Sequence, residues 1–545
     1  MHGLSLLDYG VFALYLALVT GFGIWVYYRK KTAGTDSRSF FLAEGSLTWW
    51  AIGASLIASN ISAEHFIGMS GSGFALGLAI STYEWMSAGT LIVVAVFFIP
   101  VYLKNRIYTM PQFLAQRYSP TVALLMAVFW LLVYVFVNLT SILYLGAIAI
   151  SGISGLSFMV CVAGLAVLSL IVTLGGMKVI GYTDVFQVAV LIIGGLATTY
   201  LALTLVSETS GYGKDVWTGL SLLQQEAPSH FHMIFDDGHP FYRELPGLSV
   251  LIGGMWVNNL NYWGCNQYIV QRALGADLKT ARRGILFAAF LKLLIPVIAV
   301  LPGIAAYVLY QKGFFQAELT NSSGVLKPDQ AYPTLLNLLP SGLKGLAFAA
   351  LTAAVVASLA GKVNSISTIF SLDIYQTRLR RDATDRQVVV AGRWVVVISL
   401  AIAGLVAPAL RSLDQAYQFI QEYVGFIAPG VLAIFILGLF WKKTNPTAGL
   451  LGAVLTIPLS ALLKFLPEWT GGGFPDLPFL DRMALVFVFL LVLMVAVSLS
   501  SQSRQAETGG VPIQLNKEWF RCDPGFVAGG VLITGILTAL YTVFW

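Results

Sequence analysis

The chain has 545 residues, 57% of them hydrophobic and only 11% charged, with a net charge of +6 and a mean hydropathy of +0.79. A soluble protein carries roughly 25% charged residues, so this composition excludes a soluble domain and specifies an all-α polytopic membrane protein. The basic balance does not point to nucleic acid, since Lys and Arg are spread over short loops, and three cysteines (Cys161, Cys265 and Cys522) exclude a disulfide framework.

The N-terminus, MHGLSLLDYG, lacks the basic region of a cleaved signal and leads into a full-length apolar run, so it reads as a retained span. A helical crossing needs roughly 20 residues. About fourteen apolar segments qualify, near 7–28, 48–73, 76–103, 121–151, 155–175, 183–207, 245–271, 284–311, 343–372, 388–410, 413–441, 446–466, 480–500 and 525–545. Alternate loops hold 22 of the 32 Lys and Arg, among them Arg29, Lys104, Arg117, Arg272, Arg282, Arg378 and Lys442. The positive-inside rule makes that side cytoplasmic and puts both termini outside. One long outer loop carries His230, His232, His239, Asp236 and Asp237, which read as a solvated loop rather than a metal site. A second carries the sequon Asn321-Ser322-Ser323, meaningful only in a eukaryotic secretory pathway, while Asn138-Leu139-Thr140 lies mid-span and out of reach.

The second segment, TWWAIGASLIASNISAEHFIGMSGSG, places Ser59, Asn60, Ser62, Glu64 and His65 near its centre. In hydrocarbon every backbone donor and acceptor needs a partner, so a polar interruption survives only where it lines a protein cavity. Broken helices of this kind hold solutes and ions at the midplane of transporters; a kinked structural helix is the alternative. The seventh segment repeats the pattern with Asn258, Asn259, Asn261, Tyr262, Trp263 and Asn266. The third carries Glu84 after Tyr83, the eighth carries Lys292, and the eleventh carries Tyr417, Gln418, Gln421 and Glu422. A lone charge at the bilayer centre costs at least about 2.5–3.5 kcal/mol, so Glu84 and Lys292 are expected either to face one polar interior or to form a buried structural pair. One carboxylate, one ammonium, several amides and a Tyr-Trp pair suit a polyhydroxyl ligand: amides both donate and accept, and an aromatic face covers a sugar ring. Asn259 and Tyr262 at i,i+3, and Tyr417 and Gln421 at i,i+4, share helix faces.

The runs GASLIASNISAEHFIGMSGSG, STYEWMSA, GYTDVFQ, NYWGCNQYIVQR, FAAFLKLL, NSISTIFSLDIY, AYQFIQEYVGFIAPG and FWKKTNP resemble, in order and over nearly the whole chain, the solute:sodium symporter family, and within it the sodium/sugar cotransporter branch. The resemblance implies a leucine-transporter-type fold of two inverted five-helix repeats, with one extra N-terminal and three extra C-terminal helices. Here these would be 48–207 and 245–441, preceded by 1–47 and followed by 442–545, all in one membrane domain. It implies a sodium/monosaccharide (galactose or glucose) symporter of the cell membrane that works by alternating access. Its partners would be sugar, sodium and the bilayer; no cofactor, nucleic acid or obligatory protein partner is expected. Nothing in the chain makes an enzyme's catalytic constellation. By the same resemblance Asn60, His65, Glu84, Ser87, Asn259, Lys292 and Gln421 bond the sugar hydroxyls. Tyr262 stacks on the ring as the inner gate beside Trp263, and Met69, Tyr83 and Tyr417 form the outer gate. The same fold could instead carry an inositol, an amino acid or sialic acid, or serve as a sugar-gated sensor.

For sodium, the resemblance implies the carbonyls of Ala58, Ile61 and Ala354 and the hydroxyl of Ser358, with Asp184 on the exit path; a helix-start cap is the other reading of Asp184. The chain departs from the family pattern here. Ala357 stands where a second serine is usual, Lys362 where an apolar residue is expected, and Ala360 and Gly361 where some members place further hydroxyls, so at most one sodium is expected per cycle. Lys362 reads either as a lysine reaching toward the cytoplasm or as a cation that weakens or replaces sodium, with altered or proton coupling.

Overall fold

The computed structural model describes residues 4–29, 47–174, 177–320, 324–412, 421–422, 424–500 and 513–545. Tyr417, Gln418 and the Asn321-Ser322-Ser323 sequon lie outside the described residues. Among those described, ten helical stretches are long and apolar enough to cross a membrane, and two shorter apolar helices join them. Extended pairing among the described residues is limited to one bridge, Thr320 with Leu326. The spans are α1 (Leu6–Arg29); a broken pair α2 (Trp49–Asn60) and α3 (Ser70–Leu76); α4 (Thr82–Val93, continued to Lys104); and α5 (Pro120–Leu132) running into α6 (Thr140–Ser154). Then come α7 (Phe158–Leu174), α8 (Met177–Thr209), a second broken pair α9 (Gly254–Leu260) and α10 (Gln267–Leu274), α11 (Leu278–Lys292) and α12 (Ile295–Gln311). The last are α13 (Leu343–Thr368), α14 (Asp385–Val406), α15 (Ala428–Phe440), α16 (Pro446–Trp469), α17 (Phe479–Ser500) and α18 (Pro524–Val543). Within the described residues, each of the fourteen apolar segments contains a helix or part of one.

The break in the first pair is local and complete. Ile61 closes the last helical bond, to the Ile57 carbonyl, and then turns extended (φ −73°, ψ 125°). The chain resumes as a π-helical turn, Glu64–Met69. In the second pair the same change falls at Asn266 (φ −89°, ψ 128°). These short pieces sit at the centre of the bundle. α2 packs on α8, α11 and α13, and α3 packs on α12. Close approach there requires glycine: a Cβ on Gly303 of α12 would lie 2.0 Å from the Ser70 carbonyl oxygen. By contrast α1, α7, α17 and α18 leave Leu18, Val167, Val492 and Val531 more than half exposed, the face that such helices turn to lipid.

One loop expectation is corrected and a second holds only in part. Arg117, Arg272 and Arg282, counted with the cytoplasmic loops, are buried. Arg117 donates to the carbonyls of Gly438 (2.9 Å) and Trp441 (2.9 Å), closing the end of α15. Arg282 does the same for Ala95 (3.1 Å), Trp519 (2.6 Å) and Arg521 (2.7 Å). A guanidinium offers five donors, so it satisfies terminal carbonyls that hydrocarbon cannot.

The His-bearing loop is solvated at His232, Asp236 and Asp237, as expected, but not throughout. It contains the helix Val216–Glu226, and its histidines diverge. His230 is buried, 3.0 Å from the Phe74 carbonyl and stacked on Tyr307 at 4.0 Å. His232 lies 3.0 Å from the Trp545 carbonyl, and His239 stacks on Phe235. Burial holds the His230 imidazole below its ordinary value, so the folded state takes up this proton less readily than the unfolded chain. Its stabilising contribution is full above about pH 6.5 and falls as pH drops below it. Thermal melts between pH 7.5 and 5 should show a fall in melting temperature that His230→Phe reduces.

Candidate functional site

The two breaks, α4, the end of α5 with the turn that follows it, and Lys362 of α13 line a central polar cavity. Lys292, the last residue of α11, is fully buried, and its ammonium contacts both the Glu84 carboxylate on α4 and the Asn60 side-chain oxygen at the end of α2. A buried ammonium has three protons to place, and this arrangement gives two of them charged or amide acceptors. The same ammonium lies 5.1 Å from the Trp263 ring centre, a cation–π distance. Asn60 is used at both ends, since its amide nitrogen donates to the Tyr262 hydroxyl at 2.8 Å.

His65 stands 3.4 Å from the other Glu84 oxygen through Nε2. Its Nδ1 accepts from the Ser62 backbone N–H at 3.3 Å, so Nε2 carries the proton and donates to Glu84. Ser87 donates to Asn259 Oδ1 at 2.8 Å. The Asn259 amide nitrogen is buried without a protein partner, as is the Trp263 indole N–H. Buried donors of this kind cost free energy unless something accepts from them, and both belong to residues that line the cavity. Tyr262 meets Trp263 and Tyr268 edge-on, at 5.1 and 5.6 Å between ring centres.

Thus Asn60, His65, Glu84, Ser87, Asn259, Tyr262, Trp263 and Gln421 all line one cavity, with Lys292 bonded into its wall. Of the gate residues, Tyr83 lines the cavity, whereas Met69 is buried in the surrounding core. Glu422 turns away, to Lys464 (2.9 Å) on α16 and Arg482 (2.5 Å) on α17. Sequence reasoning missed Tyr134, Asn138 and Tyr268 on the cavity wall. Tyr134 donates to Asn266 Oδ1 at 3.1 Å; the available signal was Tyr134 and Asn138 at i,i+4 in an otherwise apolar span.

Beneath this cavity α2 meets α13. The Ser62 N–H bonds His65 Nδ1 and the His65 N–H bonds the Ser62 carbonyl, so the carbonyls of Ala58 and Ile61 leave the helical ladder. Hard cations such as sodium take oxygen ligands, which unwound backbone supplies. Opposite them, Ala354, Ala357 and Ser358 are buried on α13. Ser358 donates to the Ser59 carbonyl at 3.1 Å. The Lys362 ammonium turns back by one helical turn to the Ser358 hydroxyl at 3.2 Å and lies 5.0 Å from the Tyr268 ring centre. A Cβ at Gly361 would run into the Arg272 guanidinium and Ser59 Oγ, so a side chain there would have to displace both.

Asp184 is not a helix cap. It lies inside α8, fully buried, accepting from Ser55 Oγ at 2.5 Å with the Arg272 guanidinium 4.0 Å away.

A family model described as the sodium:solute symporter family matches residues 40–456. A sodium/glucose cotransporter of Vibrio parahaemolyticus is 46% identical, over 100% of this chain and 99% of its own. A human sodium/myo-inositol cotransporter 2 is 32% identical, over 96% of this chain and 80% of its own. A solved sodium-coupled sialic acid symporter superposes with a TM-score of 0.76 at 22% identity, over 91% of this chain and 98% of that one; at this identity the likeness concerns the fold. The broken helices, the polar cavity between them and the match over 40–456 agree: this multi-pass membrane protein belongs to the sodium:solute symporter family.

Proposed function

We propose that the chain is a secondary active symporter that couples inward sodium flow to uptake of a monosaccharide, galactose or glucose, across the cell membrane, with both termini outside. The observation that carries this reading is the buried Lys292–Glu84–Asn60 cluster bridged to Tyr262, in a chain 46% identical to a sodium/glucose cotransporter. Glu84 accepts from hydroxyls, Lys292 and the Asn259 amide donate to them, Gln421 adds an amide, and Tyr262 with Trp263 covers the ring. Residues 48–207 and 245–441 are the two inverted repeats, each headed by one break.

Sodium takes the carbonyls of Ala58, Ile61 and Ala354 with the Ser358 hydroxyl, one ion per cycle. It binds the outward-facing state in preference, for a ligand of equal affinity for both states shifts nothing. Sugar then enters, the outer gate closes over it, and sodium leaves past Asp184 before Tyr262 yields. The same hydroxyl chemistry would accept an inositol, and a relative named for myo-inositol is 32% identical.

The test is uptake of radiolabelled galactose, glucose and myo-inositol into proteoliposomes under inward sodium, potassium or proton gradients at equal osmolarity. Galactose or glucose should accumulate transiently above equilibrium only with sodium. Overshoot for myo-inositol alone would reassign the solute, and equilibration without overshoot under every gradient would remove the symporter.

A further inference from the structure

We propose that Lys362 is a tethered cation that competes with sodium for its site and sets the affinity of that site. The proposal rests on the sodium position argued above and deepens it. Three observations converge on it. First, the side chain is buried, on the sixth turn of α13, and its ammonium bonds the hydroxyl of Ser358 instead of reaching for the cytoplasm. Second, that hydroxyl is already committed on its donor side to the Ser59 carbonyl. A serine oxygen has one proton and two lone pairs, so the ammonium occupies a lone pair that would otherwise face a metal cation. Third, position 357 is Ala, so no neighbouring hydroxyl on this turn compensates.

The ammonium also lies on the face of Tyr268, which meets Tyr262 edge-on. Lys362 therefore stands between the cation position and the aromatic floor of the solute cavity, where it is itself a lining residue. The charged side chains that act on it electrostatically are Glu64 and Arg272. Glu64 is engaged by Ser141 Oγ at 3.0 Å and Ser62 Oγ at 3.3 Å, and Arg272 is itself cationic. Two like charges in the protein interior repel more strongly than in solvent. Sodium entering beside Ser358 must displace the ammonium from the hydroxyl and bear its repulsion. A neutral side chain of similar length would remove both penalties.

The experiment is a sodium titration of the sugar-free purified protein, read as thermal stabilisation, with choline chloride holding ionic strength constant. Lys362→Met should lower half-saturating sodium at least tenfold, and adding Ala357→Ser should lower it further. Lys362→Arg, which keeps the charge, should stay within threefold of the parent. Lys362→Gln serves if the methionine variant does not fold. Half-saturation within twofold of the parent for the neutral variants, or an equal shift in Lys362→Arg, would overturn the proposal. So would the absence of any sodium response in the parent and the neutral variants alike. Because no sugar is present, a wrong solute assignment leaves this outcome readable.

Discussion

Replacing Lys292 by Met is expected to lower sugar uptake by two orders of magnitude or more. The substitution leaves the Glu84 carboxylate buried with only His65, at 3.4 Å, as a charge-capable neighbour. It also strips the Asn60 oxygen of the ammonium that it now accepts from. Breaking a buried ion pair by removing one partner costs about 3–5 kcal/mol, and 1.4 kcal/mol is tenfold in an equilibrium. The double variant Lys292→Met/Glu84→Gln removes the uncompensated charge, so its melting temperature should return close to the parent value. Uptake should stay lost, because the ammonium donor and the carboxylate acceptor have both gone. Thermal melts of the purified proteins and initial uptake rates in proteoliposomes separate the two effects. If Lys292→Met transports within tenfold of the parent, the cluster is a structural ion pair and the solute binds elsewhere.

How far this site could be read in advance depended on the kind of signal each residue gave. The breaks at Asn60–Ser62 and Asn266 were legible because polar residues inside an apolar run have few physical explanations. Glu84 and Lys292 were legible for the same reason, as charges that hydrocarbon does not tolerate alone, although their direct contact and the part of Asn60 were not. Tyr134, Asn138 and Tyr268 were missed because a Tyr or Asn in a span carries no charge and reads equally as a packed or capped structural residue. Arg117, Arg272 and Arg282 were assigned to loops because counting charge near segment ends cannot distinguish a solvated guanidinium from one turned inward onto carbonyls. Glu422 sits in the right segment beside Gln421, yet the turn of the helix points it to Lys464 and Arg482. Sequence spacing alone did not exclude that.

The second large effect is expected at Asp184 and Arg272. Ser55 on α2 donates to Asp184 on α8 and accepts from Arg272 Nε on α10 at 2.8 Å; Arg272 also donates to the Tyr268 carbonyl. The trio therefore ties α2 and α10, one piece of each broken helix, to α8; in the proposed topology these are the inner pieces, which must part for solute to be released to the cytoplasm. Asp184→Ala leaves a guanidinium sealed from water opposite no carboxylate, a loss of about 3–5 kcal/mol, and should lower the melting temperature markedly. The double variant Asp184→Leu/Arg272→Met buries apolar groups instead, and such replacements of buried ion pairs are often neutral or stabilising, so stability should recover. Coupling should not recover. With the inner tie gone, sugar efflux from preloaded proteoliposomes into sodium-free medium should rise severalfold over the parent, and the overshoot under a sodium gradient should shrink. A double variant with parental efflux and full overshoot would make the trio a structural cluster alone. The expected pattern, stability restored and coupling lost, would mean that these buried charges persist because their pairing can be broken and remade once per cycle, which an apolar contact of the same volume does not offer.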